Sequence, residues 1–204
     1  MKTRPPEPAP LPHSDACERN KGPILEVLRH EFARCEQVLE IGSGTGQHAV
    51  HFAAAMPWLQ WQPTEMAQSL PGLQRRILLE GTKNLRKPVE LDVTQAWRLP
   101  RVDGVFTANT LHILRWPQVE ALFANLPSTA QPGTVLAIYG PFRCGGQYTS
   151  ESNASFDDWL HAQDPESGIR DFESVAVLAR AAGFAFVADH RMPANNQTLI
   201  WRSG

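Results

Sequence analysis

The chain has few cysteines, little excess charge and no long hydrophobic run. Its 204 residues include three cysteines, Cys17, Cys35 and Cys144, and none of them forms a C-x-x-C pair. This spacing argues against a zinc site or a disulfide framework and fits a reducing compartment. The first residues lack the apolar core of a signal peptide, and no apolar stretch is long enough to span a bilayer. We therefore expect a cytoplasmic protein without a membrane partner.

Basic runs and metal-binding clusters are missing as well. The formal net charge is -2, and no run of Lys or Arg exceeds a pair such as Arg75-Arg76. Such a chain has no general attraction for phosphate backbones, so we expect no nucleic-acid partner. His48 and His51 lie three residues apart, but no third ligand of the usual types is near them in the sequence. We interpret them as surface or packing histidines and predict no metal site.

Length and composition predict one domain. The chain has the size of a single large α/β domain, and a hydrophobic fraction of 42% is enough to bury a parallel sheet. Residues 1–12 contain five prolines and little that could be buried. We expect a mobile tail over residues 1–12 and a single domain over residues 13–204.

The most informative stretch is VLEIGSGTGQ at residues 38–47. It predicts an apolar strand that turns into a helix, and Gly42, Gly44 and Gly46 would let the backbone turn tightly and approach a ligand. Dinucleotide sites usually contain G-x-G-x-x-G, whereas Gln47 stands here where the last glycine would fall. The pattern therefore favours a ligand without a pyrophosphate. A turn that needs glycine only for packing is the alternative.

Four predicted strands each end in a polar residue: Glu40 near the end of the first strand, Glu65 after residues 58–64, Asp92 followed by Val93 in residues 89–93, and Asn109 at the end of residues 102–109. Ligands of open parallel sheets bind beyond the carboxyl ends of the strands, so these side chains should converge on one crevice. Glu40 suits a cationic ligand. Glu65 follows the glycines at the distance where doubly wound folds place an acid on ribose hydroxyls, and Asp92 suits an adenine amino group.

The later segments complete an alternating pattern. Residues 133–139 predict a fifth strand, and residues 184–189 and 197–201 predict a final antiparallel pair. Between them, residues 141–155 are polar and predict a loop at the ligand edge of the sheet, where loops usually carry specificity. The pattern therefore indicates a parallel sheet with one reversed strand.

With these residues in place, the chain resembles the class I S-adenosylmethionine-dependent methyltransferases. Residues 40–46 are similar to their first motif, Glu65 to their ribose acid and Asp92 to their adenine acid. The resemblance implies an α/β, Rossmann-like fold with a mostly parallel seven-stranded sheet, one antiparallel strand and helices on both faces. It also implies S-adenosylmethionine as the cofactor, bound by Glu40, Gly42, Gly44, Gly46, Glu65, Asp92, Val93 and Asn109.

Six further blocks carry a more specific resemblance: ACERNKGPIL at 16–25, QHAV at 47–50, GPF at 140–142, SESN at 150–153, SGIRD at 167–171 and MPANN at 192–196. Together they resemble the methyltransferase-like 26 family, a family with a domain of unknown function. This resemblance covers nearly the whole chain beyond the first dozen residues.

Methyl transfer leaves few marks in a sequence. The donor is already activated, so the protein chiefly has to align the acceptor with the methyl group in a pocket poor in water. His112 is placed where a base would help, although it could equally start or underlie the next helix. The candidates for acceptor binding are Arg19, Asn20, His112, Tyr139, Asn153, Arg170 and Asn195. Packing, capping and loop hydrogen bonds are the alternative for each, and no catalytic residue is assigned.

These features predict a methyltransferase that acts on a small-molecule acceptor. A methyltransferase-like protein that binds the cofactor without turnover is one alternative. A nicotinamide-dependent oxidoreductase is disfavoured by the glycine spacing and by the missing Tyr-x-x-x-Lys pair, since Arg143 and Ser152 follow the two tyrosines at that distance. The fourth strand ends TANT at 107–110, without the Pro-Pro-aromatic sequence common among amino-group methyltransferases of nucleic acids.

Overall fold

A computed structural model describes residues 10–204. The helices are α1 (Asp15–Glu31), α2 (Gln47–Ala55), α3 (Leu70–Glu80), α4 (Trp116–Thr129), α5 (Glu151–Gln163) and α6 (Phe172–Ala181), with a 3-10 turn at Pro193–Asn195. The strands are β1 (Gln37–Ile41), β2 (Gln60–Glu65), β3 (Val89–Glu90), β4 (Val102–Ala108), β5 (Ala130–Gly140), β6 (Phe142–Cys144), β7 (Gln147–Tyr148), β8 (Arg170–Asp171), β9 (Phe184–Met192) and β10 (Asn196–Ser203). Residues 1–9 of the predicted tail lie outside the described residues.

Seven strands form the main sheet in the order β3-β2-β1-β4-β5-β10-β9. The pairs β2–β3, β1–β2, β1–β4 and β4–β5 are parallel, whereas β10 is antiparallel to both β5 and β9. The predicted fold class is therefore confirmed, including its single reversed strand. The carboxyl ends of β1 to β5 share one edge of the sheet with the turn between β9 and β10, which we call the carboxyl edge.

Both faces of the sheet are covered because successive strand residues point to opposite faces. On one face, Leu39 and Leu136 pack with apolar residues of α4 and α6. On the other, Val38 and Val135 pack with α1 and α2. The central strands are consequently buried on both sides, which explains why they contain nearly continuous apolar runs.

The sequence explains where the first helix begins and where it lacks a hydrogen bond. Ser14 is the N-cap of α1, and its hydroxyl accepts a hydrogen bond from the Cys17 N–H. Pro23 lies inside the helix and lacks an N–H, so one hydrogen bond of the helical ladder is missing there. Ile24 and Leu28, beyond the proline, are fully buried.

The prediction of a loop over residues 141–155 is wrong in part. This stretch contains β6 and β7, which join β8 in a three-stranded sheet, and α5 already begins at Glu151. Gly145 and Gly146, with φ values of 57° and 73°, connect β6 to β7 in a turn of two left-handed residues. The strand predicted over residues 89–93 is also shorter, because β3 ends at Glu90.

None of the helices that the structure describes combines the length and apolar character needed to cross a membrane.

Candidate functional site

The glycine loop between β1 and α2 has a backbone conformation that favours glycine at three positions. Gly42, Gly44 and Gly46 have φ values of 71°, 54° and 78°, in the left-handed region that favours glycine. A Cβ on Gly42 would come within 3.0 Å of the Thr110 hydroxyl oxygen, and one on Gly46 within 2.6 Å of Leu73 Cδ1. A Cβ on Gly44 would meet nothing within 4 Å. Two glycines therefore serve packing within the protein, whereas Gly44 faces open space.

Glu65 lies beside this open space at the end of β2. Its Oε2 accepts a hydrogen bond of 2.7 Å from the Gly44 N–H, and its Oε1 accepts one of 2.8 Å from the Met66 N–H. The side chain remains partly exposed. The carboxylate thus both holds the glycine loop and stays accessible to a ligand.

Glu40 lies beneath the loop and is only 2% exposed. Its Oε2 accepts hydrogen bonds from Trp61 Nε1 at 2.9 Å and from the Ser43 hydroxyl at 2.8 Å. Burial raises the pKa of the Glu40 carboxyl to about 7, although both hydrogen bonds oppose this rise. A cation bound nearby would favour the ionised form, so the protonation of this group should respond to a charged ligand.

Asp92 stands two residues beyond β3, at the same edge. Its Oδ1 accepts hydrogen bonds from the N–H and the hydroxyl of Thr94, at 2.9 and 2.7 Å, and the residue is partly exposed. The neighbouring Val93 side chain packs in the core with the residues around α4. Val93 could therefore contact a ligand only through its main chain.

Asn109 follows β4 with a φ of 55°, which is uncommon for a residue other than glycine. Its N–H donates a hydrogen bond of 2.9 Å to the Tyr139 carbonyl. Since Thr110 lies against Gly42, the turn after β4 contacts the glycine loop directly. Backbone strain of this kind is often concentrated at functional sites.

His112 lies in the turn between β4 and α4, not in the helix. It is 5% exposed, and its ring contacts the Phe156 ring edge to face, with 5.3 Å between ring centroids. A Cβ on Gly140, at the end of β5, would lie 3.7 Å from His112 Nδ1. Burial, together with the charge of Arg170, lowers the pKa of His112 to about 4, so the imidazole is neutral at pH 7.

Arg170 ties the His112 segment to the rest of the chain. Its guanidinium donates to the carbonyls of Leu111, Leu114 and Glu166, and burial lowers its pKa. These contacts occupy much of its donor capacity. Arg170, which we predicted to bind the acceptor, therefore connects β8 to the turn before α4 in the structure.

Asn153 and Asn195 are joined to each other. Asn153 is 5% exposed, and its amide donates to the Asn195 carbonyl at 3.0 Å and to the Thr149 hydroxyl at 2.8 Å. The Asn195 amide donates to the Ser152 hydroxyl at 3.2 Å. Together they fasten the turn after β9 to the first turn of α5.

Asn20 lies close to the end of β5. Its Oδ1 is 2.7 Å from His48 Nε2, and its side chain faces the hydroxyl of Tyr139. Burial lowers the pKa of His48 to about 4 and raises the pKa of Tyr139. A neutral His48 can donate to Asn20 and fix its orientation. The adjacent Arg19 is exposed.

Two side chains that we had not singled out as site residues hold the glycine loop from outside. Gln47 is 4% exposed and accepts hydrogen bonds from the Thr45 hydroxyl at 2.9 Å and the Ser14 N–H at 2.7 Å. Arg76, which is 6% exposed, donates from Nε to the Thr45 carbonyl at 2.6 Å. The replacement of the third dinucleotide glycine by Gln47 was the only sequence signal for this arrangement.

The predicted residues therefore separate into groups. The first group lies in or beneath the glycine loop, or beside it at the ends of the strands along the carboxyl edge: Glu40, Gly42, Gly44, Gly46, Glu65, Asp92 and Asn109. Asn20, His112 and Tyr139 lie further along the carboxyl edge, around the end of β5. Asn153, Arg170 and Asn195 mainly hold chain segments to one another. No cluster of three or more His, Cys, Asp or Glu side chains within residues 10–204 is arranged to hold a metal ion.

An open cleft is also present at the opposite edge of the sheet. It is lined by residues 33–37 together with Trp58, Gln60 and Arg86. None of the residues predicted to bind a ligand lies there.

Comparison with known proteins gives a family match and a set of similar folds. A family model described as "Protein of unknown function (DUF938)" matches residues 11–203. Among solved structures, an O-methyltransferase family protein from Burkholderia thailandensis has a TM-score of 0.81 and 18% identity, covering 93% of this chain and 58% of that one.

Two further structures are similar. The S-adenosylmethionine-dependent methyltransferase SibL in its apo form has a TM-score of 0.77 and 21% identity, with 92% of this chain and 55% of that one covered. Human N-acetylserotonin methyltransferase in complex with S-adenosylmethionine has a TM-score of 0.72 and 16% identity, with 93% and 58% covered. The chain thus has the methyltransferase fold and spans little more than half the length of these proteins.

Proposed function

The chain belongs to the DUF938 family, and we propose that it is an S-adenosylmethionine-dependent methyltransferase acting on a small-molecule acceptor. The similar solved structures include methyltransferases, and the human enzyme is described in complex with S-adenosylmethionine. The six sequence blocks further support a protein of the methyltransferase-like 26 type. When bound, the cofactor supplies a methyl group on a positively charged sulfur.

The observation that carries the proposal is the open space at Gly44. Its φ of 54° favours glycine but does not require it, since Asn109 adopts a φ of 55°, and no protein atom lies within 4 Å of where a Cβ of residue 44 would be. Packing explains Gly42 and Gly46 but gives no reason for the free space at Gly44. A ligand that approaches the backbone there provides one, and the neighbouring Glu65 carboxylate can accept hydrogen bonds from ribose hydroxyls.

The charges around the loop favour a cationic ligand over a pyrophosphate. Glu40 lies buried beneath the loop and Glu65 at its mouth, so a phosphate would lie next to the Glu65 carboxylate and above the buried Glu40 carboxyl. The ammonium and sulfonium groups of S-adenosylmethionine suit such surroundings, and Asp92 remains available for the adenine amino group. The residues present therefore fit this cofactor. We assign Gly44, Glu65, Asp92 and Asn109 to its binding, with Glu40 as the buried counter-charge.

The acceptor would bind around the end of β5. Asn20 and Tyr139 supply uncharged hydrogen-bonding groups on one side of this strand end, and His112 lies close to Gly140. Because burial keeps His112 neutral at pH 7, its ring can accept a hydrogen bond from an O–H or N–H and hold that group's lone pair towards the methyl group. Its main contribution would be alignment, since a lowered pKa makes it a weak base.

No separate observation favours the alternative of a cofactor-binding protein without turnover. It shares every feature of the crevice and differs only in the absence of an acceptor. An assay for S-adenosylhomocysteine formation against panels of small hydroxyl, amine and carboxylate compounds, alongside measured cofactor binding, distinguishes the two.

The proposal is tested by calorimetric titration of the full chain with S-adenosylmethionine, S-adenosylhomocysteine and NADH. We expect saturable heat with the two sulfur nucleosides and none with the dinucleotide. Binding of NADH alone would overturn the proposal. The variant Asp92→Ala should weaken the nucleoside signal, whereas the exposed control Asp158→Ala on α5 should not.

A further inference from the structure

The start of α1 is fastened to the glycine loop by the side chain of Gln47. The Gln47 carbonyl oxygen accepts hydrogen bonds from the Ser14 N–H at 2.7 Å and the Thr45 hydroxyl at 2.9 Å. Its amide nitrogen donates to Glu18 Oε1 at 2.6 Å and to the Ser14 carbonyl at 3.3 Å. One buried amide therefore bridges the loop and the first turn of the helix.

A second link runs through α3. The Arg76 guanidinium donates to the Thr45 carbonyl and, at 2.6 Å, to the Pro12 carbonyl. The ion pair with Glu80, also at 2.6 Å, holds the arginine in place. Residues 12–20 are thus attached to the segment that directly follows Gly44, through Gln47, Arg76 and the contact between Asn20 and His48.

The two halves of α1 are held by different forces. Residues 24–31 contribute Ile24 and Leu28, both fully buried in the core, whereas the contacts of residues 15–21 named above are hydrogen bonds. Gly22 and Pro23 separate the halves, and both weaken a helix at its middle. The first half can therefore change position while the second stays packed.

We propose that Gln47 is a positioning residue of the cofactor site and that residues 15–21 form a cover whose docking on Gln47 is coupled to cofactor binding. This inference rests on the proposed function. The cover moves about Gly22 and Pro23, and its docked position holds Thr45 and the glycine loop in the binding geometry.

The physical reason is that the loop has only a weak intrinsic preference for any one backbone conformation. Three glycines leave many backbone conformations open, so the binding conformation has to be selected by contacts from outside the loop. Fixing it before the ligand arrives improves affinity, because less ordering remains to be done on binding. Coupling of this kind is reciprocal: docking tightens cofactor binding, and cofactor binding stabilises docking by the same factor.

The test uses S-adenosylhomocysteine and two matched glutamate variants of α1. Glu18→Ala removes one hydrogen-bond partner of Gln47, together with the ion pair to Lys21, and Glu26→Ala changes an exposed glutamate of the same helix. We expect Glu18→Ala to weaken binding about fivefold or more in calorimetry, within the usual range of coupling between sites, and Glu26→Ala to bind like the parent protein. Gln47→Ala should show the larger loss.

Amide hydrogen exchange measures directly whether residues 15–21 are docked. S-adenosylhomocysteine should slow amide exchange in residues 15–21 of the parent protein and of Glu26→Ala, but much less in Glu18→Ala. Gly22→Ala provides a second measurement, because no atom lies within 4 Å of its added Cβ. A stiffer helix centre should slow both association and dissociation of the nucleoside in stopped-flow experiments.

The outcomes separate this inference from the proposed function. If the parent protein binds no S-adenosylhomocysteine, the proposed function fails and the inference fails with it. Suppose that the parent protein and Glu18→Ala bind S-adenosylhomocysteine equally well, and that the nucleoside does not slow amide exchange in residues 15–21 of the parent protein. Then the inference alone is overturned. Loss of affinity in Glu18→Ala with unchanged melting temperature supports the coupling.

Discussion

The two halves of the carboxyl edge use polar residues differently. Around the glycine loop, Glu65 and Asp92 hold local backbone groups and remain partly exposed. Beyond β5, Asn153 is buried, and Arg170 and Asn153 bind carbonyl groups of distant segments. The first half leaves its polar groups partly accessible, whereas much of the second half uses them to hold chain segments together.

The difference shows that a polar residue at the carboxyl edge can serve to hold chain segments together. A small three-stranded sheet and α5 extend the fold beyond β5, and Phe142 and Leu160, with Ile169 just before β8, are their buried apolar residues. Hydrogen bonds such as that from Tyr148 to the buried Asp157 carboxylate, at 2.6 Å, help to hold them. The comparison can be tested by variants that act on one half of the edge and spare the other.

The largest effect is expected at Gly44. Gly44→Val and Gly145→Val place the same side chain at φ values of 54° and 57°, and neither added Cβ meets an atom within 4 Å. Both should lower the free energy of unfolding by at least about 1–2 kcal/mol, measured by urea denaturation. Only Gly44→Val should lower S-adenosylhomocysteine affinity, by about 100-fold or more in calorimetry, since it fills the space next to the backbone. Equal affinities in the two variants would contradict the proposed site.

The next effect concerns the carboxylate at the end of β2. Glu65 and Glu90 are paired in register on neighbouring strands, but only Glu65 binds the Gly44 N–H. Glu65→Ala should weaken nucleoside binding about tenfold, as expected for the loss of a charged hydrogen-bond partner, and Glu90→Ala should leave it unchanged. Calorimetry of both variants checks this, and a comparable loss in Glu90→Ala would point to a general charge effect.

A smaller effect should follow pH through Glu40. Its pKa of about 7 exceeds the ordinary value of 4.5, so its contribution to stability is present below pH 4.5 and is lost as the pH rises through about 7. A bound cation favours the ionised carboxylate, so S-adenosylmethionine affinity should rise across this window, by at most about tenfold per pH unit. Glu40→Gln should flatten the profile. His48 and His112 gain charge only near pH 4, below the range of pH 4.5 to 7 in which Glu40 acts, so they should not obscure the comparison between the parent protein and Glu40→Gln.

The smallest effect on cofactor affinity is expected at Asn153. Asn153→Ala removes the hydrogen bonds to the Asn195 carbonyl and the Thr149 hydroxyl, and should lower the free energy of unfolding by about 1–2 kcal/mol. Its S-adenosylhomocysteine affinity should stay within about twofold of the parent value, or about 0.4 kcal/mol. A large loss of affinity without loss of stability would place Asn153 in the cofactor site and remove the contrast between the two halves.

The central strands could be predicted because their signal is local. β1, β4 and β5 are buried on both faces and contain apolar runs, and the glycine loop follows β1 directly. The hairpin of β6 and β7 could not be predicted in this way. Its strands have three and two residues, lie in a polar and largely exposed stretch, and show no alternating pattern.

The site could be predicted only where chain topology alone brings residues together. Glu65 is the last residue of one parallel strand and Asn109 directly follows another, so the sheet brings both to the same edge. Gln47 and Ser14 are 33 residues apart, and their hydrogen bond depends on how α1 packs against α2. The tie between Asn153 and Asn195, 42 residues apart, depends in the same way on the packing of α5 against the final hairpin.

The most direct test of the account is a crystal structure of the full chain grown with S-adenosylhomocysteine. We predict that the nucleoside lies at the carboxyl edge, with its ribose hydroxyls on Glu65 and its backbone contact at Gly44. A nucleoside bound instead in the cleft at the opposite edge, beside Trp58 and Arg86, would contradict the account, and so would a carboxyl edge left empty at saturating nucleoside.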